Sequence, residues 1–136
     1  MKKTSLLILS ILIIFISCKT TPKNINEDLT PAEFFQLAQE AVVERNDFKT
    51  ALLYYQTFIE RYPDDPANVT AAEYEIAFIE YKRGNFDKAE ILFSNLIAKY
   101  EGEDAALLPD WPRILSEKLL DEIAGSEEPV STEEES

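Results

Sequence analysis

The sequence has no histidine, a single cysteine, one tryptophan and only three glycines among its 136 residues. Without histidine there is no imidazole to act as general acid or base, no Ser-His-Asp triad and no histidine ligand for a metal. One cysteine cannot close an internal disulfide or complete a cysteine-rich zinc site. Basic residues are also scarce: 13 Lys and Arg stand against 26 Asp and Glu, a formal charge of −13. Phosphate backbones are held by clustered Lys and Arg, so nucleic acid is excluded as a partner. There is no glycine-rich phosphate loop and no Gly-x-Ser-x-Gly segment, which argues against an enzyme, a cofactor and a small-molecule substrate. Apolar side chains are plentiful, at 46% hydrophobic and 11% aromatic. That suffices for a core, at a length that suits one domain.

Met1-Lys2-Lys3 is a short basic start, followed by an apolar run from Leu6 to Ile16 broken only by Ser10. At about eleven residues the run is too short to cross ~30 Å of hydrocarbon as a helix, and it suits the h-region of a secretory signal peptide. Cys18, the one cysteine, stands where the run stops, after Phe15-Ile16-Ser17. These residues resemble the lipobox of bacterial lipoproteins. The resemblance implies cleavage of residues 1–17 and lipidation of Cys18 by a diacylglyceryl thioether with an N-acyl chain such as palmitate. That meets the need of stable anchoring for more than one acyl chain. Lys19, where inner-membrane lipoproteins have aspartate, leans the same resemblance toward the outer membrane, facing the periplasm. The alternative is an uncleaved signal anchor with an incidental thiol. Residues 18–29, polar and containing Pro22, read as a lipidated cysteine and a tether of up to roughly 35 Å.

From Thr30 the punctuation predicts helices. Thr30-Pro31-Ala32-Glu33 is a capping box with proline at the first helical position. Phe34, Phe35, Ala38, Ala41 and Val42 follow at helical spacing. Asn46-Asp47 ends that helix and caps the next. Phe48, Ala51, Leu52, Tyr55, Phe58, Ile59 and Tyr62 then form an amphipathic stripe. Pro63 stops it, Asp65-Pro66 starts a third helix that is apolar around much of its circumference, and Gly84-Asn85 ends it. A shift of 38 residues carries Phe48, Ala51, Tyr55, Phe58 and Ile59 onto Phe86, Ala89, Phe93, Leu96 and Ile97. Such a period, built of two helices, marks an α-solenoid.

The spacing of Phe35, Ala38, Val42, Ala51, Tyr55 and Pro63 resembles the tetratricopeptide repeat. With the lipobox, the tether and the run Tyr62-Pro63-Asp64-Asp65-Pro66, the chain looks like a short version of the BamD family. Members of that family are the lipoprotein subunit of the outer-membrane β-barrel assembly machine. The resemblance implies an all-α fold of two hairpins over 30–104. It also implies a concave groove lined by the first helix of each hairpin, with Gln36, Glu40, Val43 and Glu44 facing it from one unit. Tyr74, Phe78, Tyr81 and Lys82 would face it from the other. The rings of Tyr74, Phe78 and Tyr81 have a second reading, in which they pack on the neighbouring hairpin and the C-terminal helix.

Two repeats bury little alone. Residues 105–124 are therefore expected to supply a capping helix that starts near Asp110-Trp111-Pro112. Its stripe is Trp111, Ile114, Leu115, Leu119, Leu120 and Ile123, with Trp111 the largest anchor. The segment 125–136 is Glu-rich and lacks Lys and Arg, the composition of a disordered tail. Asp64-Asp65 and Glu101-Glu103-Asp104 lack the alternating acidic spacing and central glycine of a calcium loop. They read as helix starts and solvated loops, so no metal site is expected. Function is then expected to be non-catalytic protein binding at the bacterial envelope, with other envelope proteins as partners and the membrane reached through the lipid. By resemblance this would serve outer-membrane protein assembly. A pilot-like or cell-wall-coordinating adaptor is the alternative, and a hydrolase or cation-binding protein is the remaining different class.

Overall fold

The computed structural model describes Pro22 and residues 24–127. The cleavage and lipidation expected at residues 1–18 and the tail 128–136 lie outside the described residues. Among the described residues five helices follow in order: α1 Pro31–Val43, α2 Phe48–Arg61, α3 Pro66–Lys82, α4 Phe86–Ala98 and α5 Asp110–Glu127. Two 3₁₀ turns, Lys99–Glu101 and Glu103–Leu107, connect the last two. Among the described residues there is no strand, and no helix is long and apolar enough to cross a membrane.

α1, α2 and α3 begin where a side chain satisfies one of the first free backbone N–H groups. The Glu33 amide donates to the Thr30 hydroxyl, and the Thr30 amide donates to the Glu33 carboxylate at 2.8 Å, the reciprocal capping box. Asp47 accepts from the Thr50 amide at 3.2 Å and Asp65 from the Asn68 amide at 3.2 Å. The two hairpin turns need a left-handed residue, and it is supplied by Asn46 (φ 48°) and Gly84 (φ 76°). Both are residue types that adopt this conformation at low cost.

The hairpins α1–α2 and α3–α4 stack through α3, giving an all-α solenoid closed by α5. One core gathers Phe34, Ala38, Ala41, Ala51, Tyr55 and Phe58 with Ala72 and Ile79 of α3. The other gathers Tyr74 and Ala77 of α3 with Ala89, Phe93, Leu96, Leu119 and Ile123. α3 thus lies between two layers, so it is apolar on two sides and has no single wet face. Each large side chain buried this way contributes about 1.5–3 kcal/mol. The small residues let the helices approach: Ala38, Ala51, Ala77 and Ala89 have no exposed surface.

The structure departs from the expected tether. Ile25 and Leu29 rest on the first core. The Arg61 guanidinium donates to the carbonyls of Asn26 at 2.7 Å and Ile25 at 3.2 Å, and the Tyr62 hydroxyl donates to the Leu29 carbonyl at 2.7 Å. Residues 24–29 are therefore a strap fixed to the end of α2.

The C-terminal segment also differs in detail. Ala105 to Leu107 belong to a 3₁₀ turn, and α5 runs from Asp110 through Gly125 to Glu127. The Ser126 hydroxyl donates to the Ile123 carbonyl there at 2.6 Å. Only part of the expected stripe faces inward. Leu119 and Ile123 are buried, joined by Pro112 and Ser116, while Trp111, Ile114 and Leu115 stay 41%, 53% and 38% exposed. Trp111 is partly covered, its ring 5.1 Å from that of Tyr74 and near-perpendicular to it.

Candidate functional site

The outward side of α1 is set by its helical period. With Phe34, Ala38 and Ala41 turned to α2, the residues at 36, 40, 43 and 44 fall on the opposite side. Gln36, Glu40, Val43 and Glu44 line one open groove of about 730 Å³, together with Phe35 and, from the start of α3, Asn68. Val43 is 82% exposed, with no packing role to explain an apolar residue there. The ring of Phe35 is half-buried, held edge-on by Tyr55 at 5.4 Å and Phe58 at 5.2 Å. The groove's charge is carboxylate, with the Arg45 guanidinium drawn to Glu40 at 2.6 Å. The arrangement can hold apolar and basic groups of a polypeptide. It contains no nucleophile paired with a base.

The second set of expected residues is divided. Tyr74 is a core residue, 7% exposed. It stacks on Phe78 at 6.0 Å, and Phe78 stacks on Tyr81 at 6.2 Å. The Tyr81 hydroxyl donates to the Glu122 carboxylate of α5 at 2.7 Å. Lys82 is exposed and lies 6.0 Å over the Phe78 ring, a cation–π distance. These residues form a ladder between α3 and α5. They are separate from the groove over α1, and none of them lines it.

Two acidic residues on α3 were not legible as special. Glu80 has a side chain only 1% exposed, yet it is held by Lys88 at 2.8 Å, Asn85 at 2.6 Å and Arg83 at 3.2 Å. Burial pushes its carboxyl up, but the Lys88 and Asn85 hydrogen bonds and the charges of Lys88 and Arg83 outweigh it. The carboxyl ends below its ordinary range. The Asn85 amide is used on Glu80, and Asn85 makes no side-chain cap to α4. In the first hairpin the same turn is closed locally, by the Thr50 hydroxyl on Asp47 at 2.7 Å.

Glu75 has the opposite character: burial raises its carboxyl above the ordinary range. Burial and the Glu75 charge push Tyr74 up to about 12 and raise Tyr55 further. The Tyr55 hydroxyl is buried without a hydrogen-bond partner. A carboxyl raised in the folded state takes up its proton more readily there, so its ionisation costs stability as pH rises through the window above the ordinary value. Glu75→Gln is expected to melt a few degrees higher than the parent at pH 7. That gain should vanish below about pH 4, where both states are protonated. Thermal melts at the two pH values check this.

An α-solenoid of two hairpins with an open groove over the first helix is an architecture suited to a protein-binding scaffold. The tetratricopeptide repeat model matches residues 34–65 and 71–102, so the chain carries two tetratricopeptide repeats, α1–α2 and α3–α4. Such repeats bind other proteins. The chain is also similar to an uncharacterized protein of Treponema pallidum (strain Nichols), 33% identical over 95 residues. That match takes in 68% of this chain and 38% of the relative, so the chain spans well under half of the relative's length. No solved structure matches the chain.

Proposed function

We propose that this protein is a non-catalytic scaffold of the bacterial envelope, lipidated at Cys18, outer-membrane anchored and facing the periplasm. In this reading it holds another envelope protein in the groove over α1 and contributes to outer-membrane protein assembly. The observation that carries the binding part is the open groove itself. Gln36, Glu40, Val43 and Glu44 converge on it, and Val43 stands exposed at its lip. Apolar surface of this kind, rimmed by charge, is where a partner segment gains most from leaving water. The carboxylates favour a segment that carries Lys or Arg beside its apolar side chains. The basic start, the apolar run and the position of the single cysteine support the anchor.

The test is photocrosslinking in the native envelope from a reactive residue placed at Gln36. The expected result is capture of a discrete envelope protein. Adding Val43→Glu should reduce capture at least about tenfold, since a hot-spot truncation costs about 1.4 kcal/mol or more. Equal capture with and without Val43→Glu would refute the groove. Cys18→Ala should move the processed protein from membranes to the soluble fraction, and retention in membranes would refute the lipid anchor.

A further inference from the structure

α5 leaves a second surface uncovered. Trp111, Ile114, Leu115 and Lys118 recur at i, i+3, i+4 and i+7, and so share one face of the helix. All four are exposed. Among the described residues Lys118 makes no ion pair, unlike Arg113, which binds Glu117 at 3.0 Å on the same helix. We infer that this face pairs α5 with α5 of a second copy of the chain, antiparallel about a two-fold axis between Ile114 and Leu115.

The face is self-complementary in that register. An isologous contact requires that whatever lies at one end of a patch suit what lies at the other. With the axis between 114 and 115, Ile114 meets the second copy's Leu115 at the centre. Trp111 lies across from the second copy's Lys118, a cation placed over the indole face that attracts it best. Asp110, 81% exposed at its side chain and only loosely paired with Arg113 at 4.0 Å, lies beside that same lysine. Every element of the patch is then used twice, and the one unpaired cation on the face gains a partner. The contact also continues the pattern of the fold, since α1 is covered by α2 and α3 by α4, whereas among the described residues no helix covers this face of α5. The chain's overall negative charge opposes association at long range. At physiological salt that repulsion is screened beyond about 8 Å, and the local pairing decides. The inference does not depend on the groove over α1.

Sedimentation equilibrium of the full chain in density-matched detergent, across roughly micromolar to submillimolar protein, tests it. A two-chain mass is expected at the upper end. Ile114→Glu should weaken association at least about tenfold, because it places like charges at the axis. Lys118→Asp and Asp110→Lys should each weaken it, and the double variant should recover affinity to within about threefold of the parent. Far-UV circular dichroism checks that each variant keeps its helix content; Ile114 and Lys118 are exposed, so their substitution spares the core. A one-chain mass throughout would overturn the inference and leave the face to a different protein's helix. A two-chain mass indifferent to Ile114→Glu, or a double variant no better than the singles, would overturn it as well.

Discussion

Ala51→Arg is expected to abolish the cooperative thermal transition, and Ala89→Arg to do the same from the other hairpin. Both positions have no exposed surface. Ala51 sits among Phe34, Ala38 and Ala41 where α2 crosses α1, and Ala89 among Tyr74, Ala77 and Phe93 where α4 crosses α3. Arginine adds six heavy atoms at a position with no exposed surface, so the helices must part, at about 1–3 kcal/mol for overpacking. The guanidinium would meet only rings and methyl groups, adding about 3–5 kcal/mol for a buried charge left uncompensated. A domain of this size has about 5–15 kcal/mol in all. Because α3 is shared by the two cores, damage to either hairpin removes support from the other. Gln39→Arg, on the exposed side of α1, is the control and should melt as the parent does. A parent-like melt from Ala51→Arg would refute the assignment of the small-residue seam.

The second large effect is expected at Glu80. Glu80→Gln keeps the shape of the side chain but removes the charge that Lys88, Asn85 and Arg83 surround. Hydrogen bonds to a charged group contribute about 1.5–3 kcal/mol, which for this size of domain lowers the melting temperature by roughly 10 °C. The pH dependence carries the sign. A carboxyl held below its ordinary range contributes stability that is present above that range and is lost as pH falls through the depressed value. The parent should therefore lose its advantage over Glu80→Gln on acidification below about pH 4. Parallel curves from pH 7 to pH 3 would show that the charge has no such role. Glu75→Gln, with its raised parent carboxyl, should bend in the opposite direction. The pair makes a joint check on how the two carboxylates of α3 are placed.

Much of this was legible in the sequence, for reasons that are local. Thr30-Pro31, Asp47, Asp65-Pro66 and the left-handed Asn46 and Gly84 act on neighbours within a few residues. Their roles therefore follow from residue type and spacing alone. The outward side of α1 was legible as well, because its helical period separates positions 36, 40, 43 and 44 from the buried Phe34, Ala38 and Ala41. Glu80 was not. Its partner Lys88 reaches it from the following helix, eight residues on, where no local spacing rule pairs the two. Ile25 and Leu29 were hidden by their polar neighbours, since what holds them is Arg61 and Tyr62, more than thirty residues away. On α5 the apolar residues span too wide an arc to reveal which part turns inward. Packing on α4 chose Pro112, Ser116, Leu119 and Ile123.

The strap has a bearing on where such a protein can work. With Ile25 held by Arg61, an anchor at Cys18, as proposed, would be separated from the domain by seven peptide units, which span at most about 25 Å. A domain moored through Cys18 on so short a leash would skim the lipid headgroups. Its encounters would then be with neighbours on the same leaflet, met at the high effective concentration of a two-dimensional search. Arg61→Ala would lengthen the mooring, trading proximity for reach.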